Sequence, residues 1–147
     1  MTFSISGRCA RTGMFGIAVS SSSPAVAARC AHARAGVGVV ATQNITDPTL
    51  GPKGLDLLEQ GLTPDDVIAR FAAEAPHFDY RQVAVLGKDG SSAHHSGART
   101  LGLHRVVQAP DAVAAGNLLS SPAVPEAMVE RFRATPEAHI GDRLVAA

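Results

Sequence analysis

The opening run Thr2-Phe3-Ser4-Ile5-Ser6 alternates polar and apolar residues with period two, and no other stretch constrains the fold as tightly. Over residues 2–9, Phe3 and Ile5 share one face, while Thr2, Ser4 and Ser6 share the other. Ala10-Arg11-Thr12-Gly13 supplies a turn with a glycine available for positive φ. Residues 14–21 (Met-Phe-Gly-Ile-Ala-Val-Ser-Ser) then read as a returning strand, so the chain begins with an antiparallel hairpin. With the turn centred between Arg11 and Thr12, Thr2 lies across from about Ser20 to Ser22.

Helices and further strands follow. Residues 25–34 are a short Ala-rich segment, helical or irregular. Residues 36–43 read as a buried strand that runs into the polar turn Asn44-Ile45-Thr46-Asp47-Pro48. One helix is expected over about Lys53 to Gln60, with Gly61 as its stop. A second starts from an N-cap at Thr63, with Pro64 at its first position and Asp65 and Asp66 in its first turn. Strands resume over residues 80–86, turn at Lys88-Asp89-Gly90 and return from Ser91 to His95. Residues 104–108 and 112–115 are shorter strand candidates. Asn117 precedes a helical stretch with Val124, Ala127, Met128, Val129 and Phe132 on one face, and residues 134–147 read as another helix interrupted at Gly141.

Strand runs bracketing a helical pair predict one layered α/β domain (α+β) over residues 1–147, with mainly antiparallel sheets. Hydrophobic residues make up 46% of the 147, but only 4% are aromatic and Trp is absent. The core must therefore be built from Ala, Val, Leu and Ile, in layers packed close together. Thirteen basic and thirteen acidic residues leave no formal net charge, so nothing electrostatic favours nucleic acid or an anionic membrane as partner. No stretch reaches the ~20 apolar residues of a membrane helix. A basic n-region and an apolar h-region are absent at the start, so a cytoplasmic address is expected, with Cys9 and Cys30 reduced. Cys30-Ala31-His32 would be half a metal site, but no second half exists and no metal is expected. The apolar Leu144-Val145-Ala146-Ala147 is an uncapped stop. It predicts a domain incomplete at its C-terminus, covered by a second copy or by a complementary C-terminal fragment.

The chemistry-bearing feature is Thr2. If Met1 is removed, Thr2 carries a hydroxyl and a free amine on one framework, a nucleophile with its own base. The α-amino pKa of about 7.7–8.0 leaves much of it able to accept a proton near neutral pH. Ser20, Ser21 and Ser22 would bind substrate or orient the amine; the alternative is a solvated loop that leads into a helix at Pro24. Neither cysteine is N-terminal, and Gly-x-Ser-x-Gly is absent. His94 and His95 are adjacent in a strand, so they face opposite ways and do not share a site.

Several ordered segments resemble an uncharacterised bacterial family of N-terminal-nucleophile (Ntn) hydrolase-like proteins. They are Met1-Thr2-Phe3-Ser4-Ile5, residues 16–19, residues 33–43 (Ala-Arg-Ala-Gly-Val-Gly-Val-Val-Ala-Thr-Gln), residues 51–58 with Gly61, Arg81-Gln82, Lys88-Asp89-Gly90 and Ala115-Gly116-Asn117-Leu118-Leu119. The resemblance implies a four-layer αββα sandwich. Its parent superfamily mainly cleaves amide bonds, which implies an amidohydrolase acting on a small-molecule or peptide-like amide without a cofactor. On that reading Thr2 is the nucleophile, and Gln43, Asn44 and Asn117 are candidate donors to the oxyanion. Gln43 and Asn44 have the alternative of satisfying turn backbone, and Asn117 that of capping its helix. Arg34 would lower the amine pKa or bind a substrate carboxylate; the alternative is a surface arginine. The other class is a non-catalytic protein that keeps the fold and binds a partner or assembles. Two departures stand out: family members usually continue past this C-terminus, and Asp47 stands where an amide residue is more usual.

Overall fold

A computed structural model describes residues 1–147. The alternation at the start does form a hairpin, β1 (Thr2–Arg8) with β2 (Phe15–Ser21), in the register Thr2↔Ser21. Next come α1 (Ala27–Cys30), β3 (Ala31–Arg34), β4 (Gly38–Asn44), α2 (Leu50–Glu59) and α3 (Pro64–Glu74). They are followed by β5 (Arg81–Gly87), β6 (Ser92–Ser96), β7 (Arg105–Ala109), β8 (Ala112–Asn117), α4 (Ala123–Arg133) and α5 (Ile140–Ala146). The strands make two four-stranded sheets, ordered β2-β1-β8-β7 and β3-β4-β5-β6, with every pairing antiparallel.

The period-two faces explain the layering. Val39, Ala41, Ala84, Leu86, Val113 and Ala115 form the core between the sheets, flanked by Phe15 and Ile17. Their strand neighbours Val40, Val83 and Val85 point the other way, and there pack with Leu55, Leu58, Val67 and Phe71 of α2 and α3. On the first sheet, Ile5, Ala112 and Ala114 pack with Met128, Val129, Phe132 and Leu144 of α4 and α5. The result is a mixed α+β sandwich with helices outside and two sheets inside. The inner layer is filled largely with Ala and Val, as the shortage of aromatics demands.

Several local expectations change. Residues 25–34 divide into one helical turn and the edge strand β3, whose pairing with β4 outweighs the helical preference of its alanines. The segment 112–115, weak on its own, is the fully buried centre of β8 and runs on to Asn117. The first long helix starts earlier than expected, at Leu50. The second is capped as its sequence signals: Thr63 and Asp66 form a reciprocal capping box. The last helix is shorter than expected, starting at Ile140 and running through Gly141; His139 Nδ1 accepts from the Gly141 N–H to cap it.

Candidate functional site

Thr2 opens β1, which lies inside its sheet between β2 and β8. Its two register partners are Ser21 and Asn117. The Thr2 side chain is on the face turned to the other sheet, with Ser4 and Ser6. Thr2 Oγ1 lies 2.9 Å from Ser21 Oγ.

Beneath Thr2 runs a buried polar network that crosses between the sheets. Ser4 Oγ donates to Gln43 Oε1 at 2.8 Å. Gln43 Nε2 donates to Gln82 Oε1 at 2.8 Å, and Asn117 Nδ2 donates to the same oxygen at 3.1 Å. Gln82 Nε2 then donates to Ser96 Oγ and to the Gly116 carbonyl, both at 3.0 Å. An amide side chain offers two donors and two acceptor lone pairs, and Gln82 uses all four. Gln43, Gln82 and Asn117 are each at most 2% exposed. Such a group is costly to bury unless paired, and a fully paired network holds its members rigidly.

Cys30 approaches the same network, its Sγ 3.8 Å from Gln43 Oε1. Burial pushes its thiol pKa up to about 11, despite a backbone hydrogen bond from Thr42 and the Arg29 charge, which pull it down. Cys9, also buried and free, lies at the far end of β1. The Thr12 hydroxyl beside it holds its thiol below the ordinary value.

Met1 sits over this end of the sheet. Its carbonyl accepts from Ser21 Oγ and from the Ser22 N–H, both at 3.3 Å. Its amino group lies 3.4 Å from Ser22 Oγ. None of the five best-defined cavities has Thr2 in its wall.

The structure thus brings together Thr2, Ser21, Ser22, Gln43 and Asn117. It does not bring in the other candidates. Ser20 alternates to the opposite face of β2 and is exposed, beside Phe3 and Ala18. Arg34 pairs with Gly38 at the other end of β4 and forms surface ion pairs with Asp56 and Glu59 of α2, which raise its pKa. It is the surface arginine of the two readings. Asn44, in the left-handed region at φ 72°, donates to the Tyr80 carbonyl and accepts from the Leu101 N–H. It ties three chain segments and satisfies turn backbone. Asn117 caps no helix, because α4 starts only at Ala123. His94 and His95 face opposite ways as expected, His94 to Gln108 and His95 stacked on Phe78.

Sequence reasoning missed Gln82, the hub. The signal was present: in Gln82-Val83-Ala84-Val85-Leu86 the even positions face the other sheet, and a glutamine there has to find partners. Among the potential ligands, no group of three His, Cys, Asp or Glu side chains converges. No helix is long and apolar enough to cross a membrane.

A mixed α+β sandwich with a polar seam at one end of its inner layer is the class the fold and site define. The chain belongs to DUF1028, a family of unknown function, whose model matches residues 2–147. Among solved structures it is similar to the crystal structure of protein SPO2555 from Silicibacter pomeroyi, also of the DUF1028 family model. The TM-score is 0.93 at 27% sequence identity, covering 99% of this chain and 67% of that one. No curated protein matches the chain.

Proposed function

We propose that this chain is a small amide-bond hydrolase of the N-terminal-nucleophile type, with Thr2 as nucleophile once Met1 has been removed. The observation that carries the reading is the position of Thr2 Oγ1. It lies at the head of an internal strand, 2.9 Å from Ser21 Oγ and directly above the buried Ser4–Gln43–Gln82–Asn117 network.

The backbone supports the same reading. The C=O of one residue and the N–H of the next point to opposite sides of a strand. The Met1 carbonyl faces β2, so the Thr2 nitrogen faces β8 and Asn117. Removal of Met1 frees that nitrogen as an amine beside the Thr2 hydroxyl. It also frees the Ser21 hydroxyl and the Ser22 N–H that now hold the Met1 carbonyl oxygen.

In the proposed reaction, Thr2 Oγ1 attacks the carbonyl of a small amide while the α-amine takes its proton. The amine returns the proton to the leaving nitrogen, and water then hydrolyses the ester on Thr2. The donors vacated by Met1, with the second N–H of Asn117, are the candidates to receive the oxyanion. A fixed donor of that kind is worth about 3–4 kcal/mol in the transition state. Gln43 and Gln82 are positioning residues, since their amides hold Asn117 and Ser4 from below.

The test combines intact mass with hydrolysis. A protein that has lost Met1 should release amine from members of an amide panel, and Thr2→Ala should abolish this without loss of fold. Retained Met1, or undiminished hydrolysis by Thr2→Ala, would sink the assignment.

One observation favours the second reading, a non-catalytic protein that binds a partner. Met1, Ile45, Leu101, Leu103 and Leu118 are each 44–47% exposed. Backbone hydrogen bonds from Leu118 to Leu101 and from Leu119 to Leu103, with Asn44 bonded to Leu101, bring most of them to the Thr2 end. An apolar rim of this kind suits a second copy of the chain, a complementary C-terminal segment, or the apolar part of a substrate. Self-association that persists in Thr2→Ala alongside an inert amide panel would favour it.

A further inference from the structure

At the opposite end of β1, six residues and about 20 Å of strand from Thr2, lies a second polar site. A cavity of about 390 Å³ is walled by Arg8, Arg11, Arg133 and Arg143 together with Asp111 and Glu137. Four arginines against two carboxylates is a local excess of two positive charges in a chain whose formal net charge is zero.

Arg143 sets this cavity apart from an ordinary basic surface. It is only 6% exposed. Its guanidinium lies 3.9 Å over the Phe132 ring, and its Nε donates to the Phe132 carbonyl at 3.1 Å. These contacts fix the plane of the fork. They leave both Nη groups without an acceptor, and Arg143 forms no ion pair. Arg8 is held by Asp111 at 2.7 Å, while its Nε is buried with no acceptor. Arg11 and Arg133, both exposed, complete the wall and are likewise unpaired. The Nη groups of Arg143 are not sealed off among buried atoms and line the cavity. A guanidinium held in plane with both Nη groups free is a receptor for an anion.

We infer that this cavity binds a phosphoryl group, as carried by a small phosphate monoester. The two free Nη groups of Arg143 match phosphate geometry, and Arg8, held by Asp111, adds positive charge beside them. A phosphate monoester carries about −1.5 to −2 charges near neutral pH, which offsets the local excess. The volume lies within the usual range for small-molecule sites, about 300–1,000 Å³, and leaves room for a small organic part. The site is remote from Thr2 and stands whether or not Thr2 is a nucleophile.

Titration calorimetry on the intact chain tests this, with inorganic phosphate and glycerol phosphate as probes and chloride held at constant ionic strength. The expected result is saturable one-to-one binding of a phosphoryl probe. Arg143→Met should weaken it at least about tenfold, the loss expected for a charge-assisted hydrogen bond. Because Arg143 is buried, the exposed double variant Arg11→Gln/Arg133→Gln provides a second arm and should weaken binding severalfold with the thermal unfolding curve unchanged. Tighter binding of glycerol phosphate identifies a monoester site; equal binding identifies free phosphate as the source of the same group. No saturable binding of either probe, or binding that the exposed double variant leaves unchanged, overturns the proposal.

Discussion

Ser4 Oγ donates to Gln43 Oε1 across 2.8 Å, and this one bond joins the strand that begins with Thr2 to the opposite sheet. Ser4 lies on the same face as Thr2, two residues along, and Gln43 belongs to the network centred on Gln82. Whatever happens at Thr2 happens on a backbone pinned from below by buried amides.

The first prediction concerns the hub. Gln82→Ala strands the donors of Gln43 and Asn117 and the Gly116 carbonyl inside the inter-sheet layer. It should cost on the order of 3 kcal/mol or more in urea unfolding, since each unsatisfied buried group costs about 1–3 kcal/mol. Ser96→Ala leaves only one Gln82 N–H without its acceptor and should cost about 1–2 kcal/mol, less than Gln82→Ala. Equal effects of the two would show that the network is not centred on Gln82.

The second concerns the helix-covered face of β1. A methyl group added at Gly7 would meet the Phe132 ring at 2.5 Å and Leu144 Cδ2 at 3.2 Å. Gly7→Ala should therefore destabilise by about 1–3 kcal/mol through overpacking. A neutral result would mean that α4 and α5 do not close on the first sheet as described.

The third uses the buried thiol. Cys30 has its pKa raised from 9.0 to about 11 by burial. The folded state thus holds the proton more tightly than the unfolded one. The associated stability is complete below pH 9 and is lost as pH rises through 9 to 11, on the order of 2–3 kcal/mol in all. Over that window the gap in stability between the native chain and Cys30→Ala should shift against the native chain. In the folded protein Cys30 should also resist alkylation at pH 8. Rapid alkylation, or parallel pH profiles for the two proteins, would contradict this.

Much of the fold can be read from the sequence where local signals agree with the tertiary structure. The hairpin register at Thr2 and Ser21, the Thr63 cap and the antiparallel layering are of this kind. The departures have physical causes. β3 is a strand because β4 offers it an edge, which no local preference of Ala31-His32-Ala33 could reveal. Ser20 and Arg34 leave the candidate site because a period-two alternation and a sheet's length separate them from Thr2. Asn44 was in the right loop but faces Tyr80 and Leu101, and its left-handed backbone was not visible in sequence. Gln82 was missed because a polar residue in a buried strand declares its role only once its partners on three other strands are known.

The most direct test of the central claim is mass spectrometry of the purified chain before and after exposure to an acylating β-lactone, followed by peptide mapping. The expected result is a mature protein that begins at Thr2 and takes up one acyl group on the Thr2 hydroxyl, with none on Thr2→Ala. A chain that retains Met1, or an adduct that persists in Thr2→Ala, would contradict it.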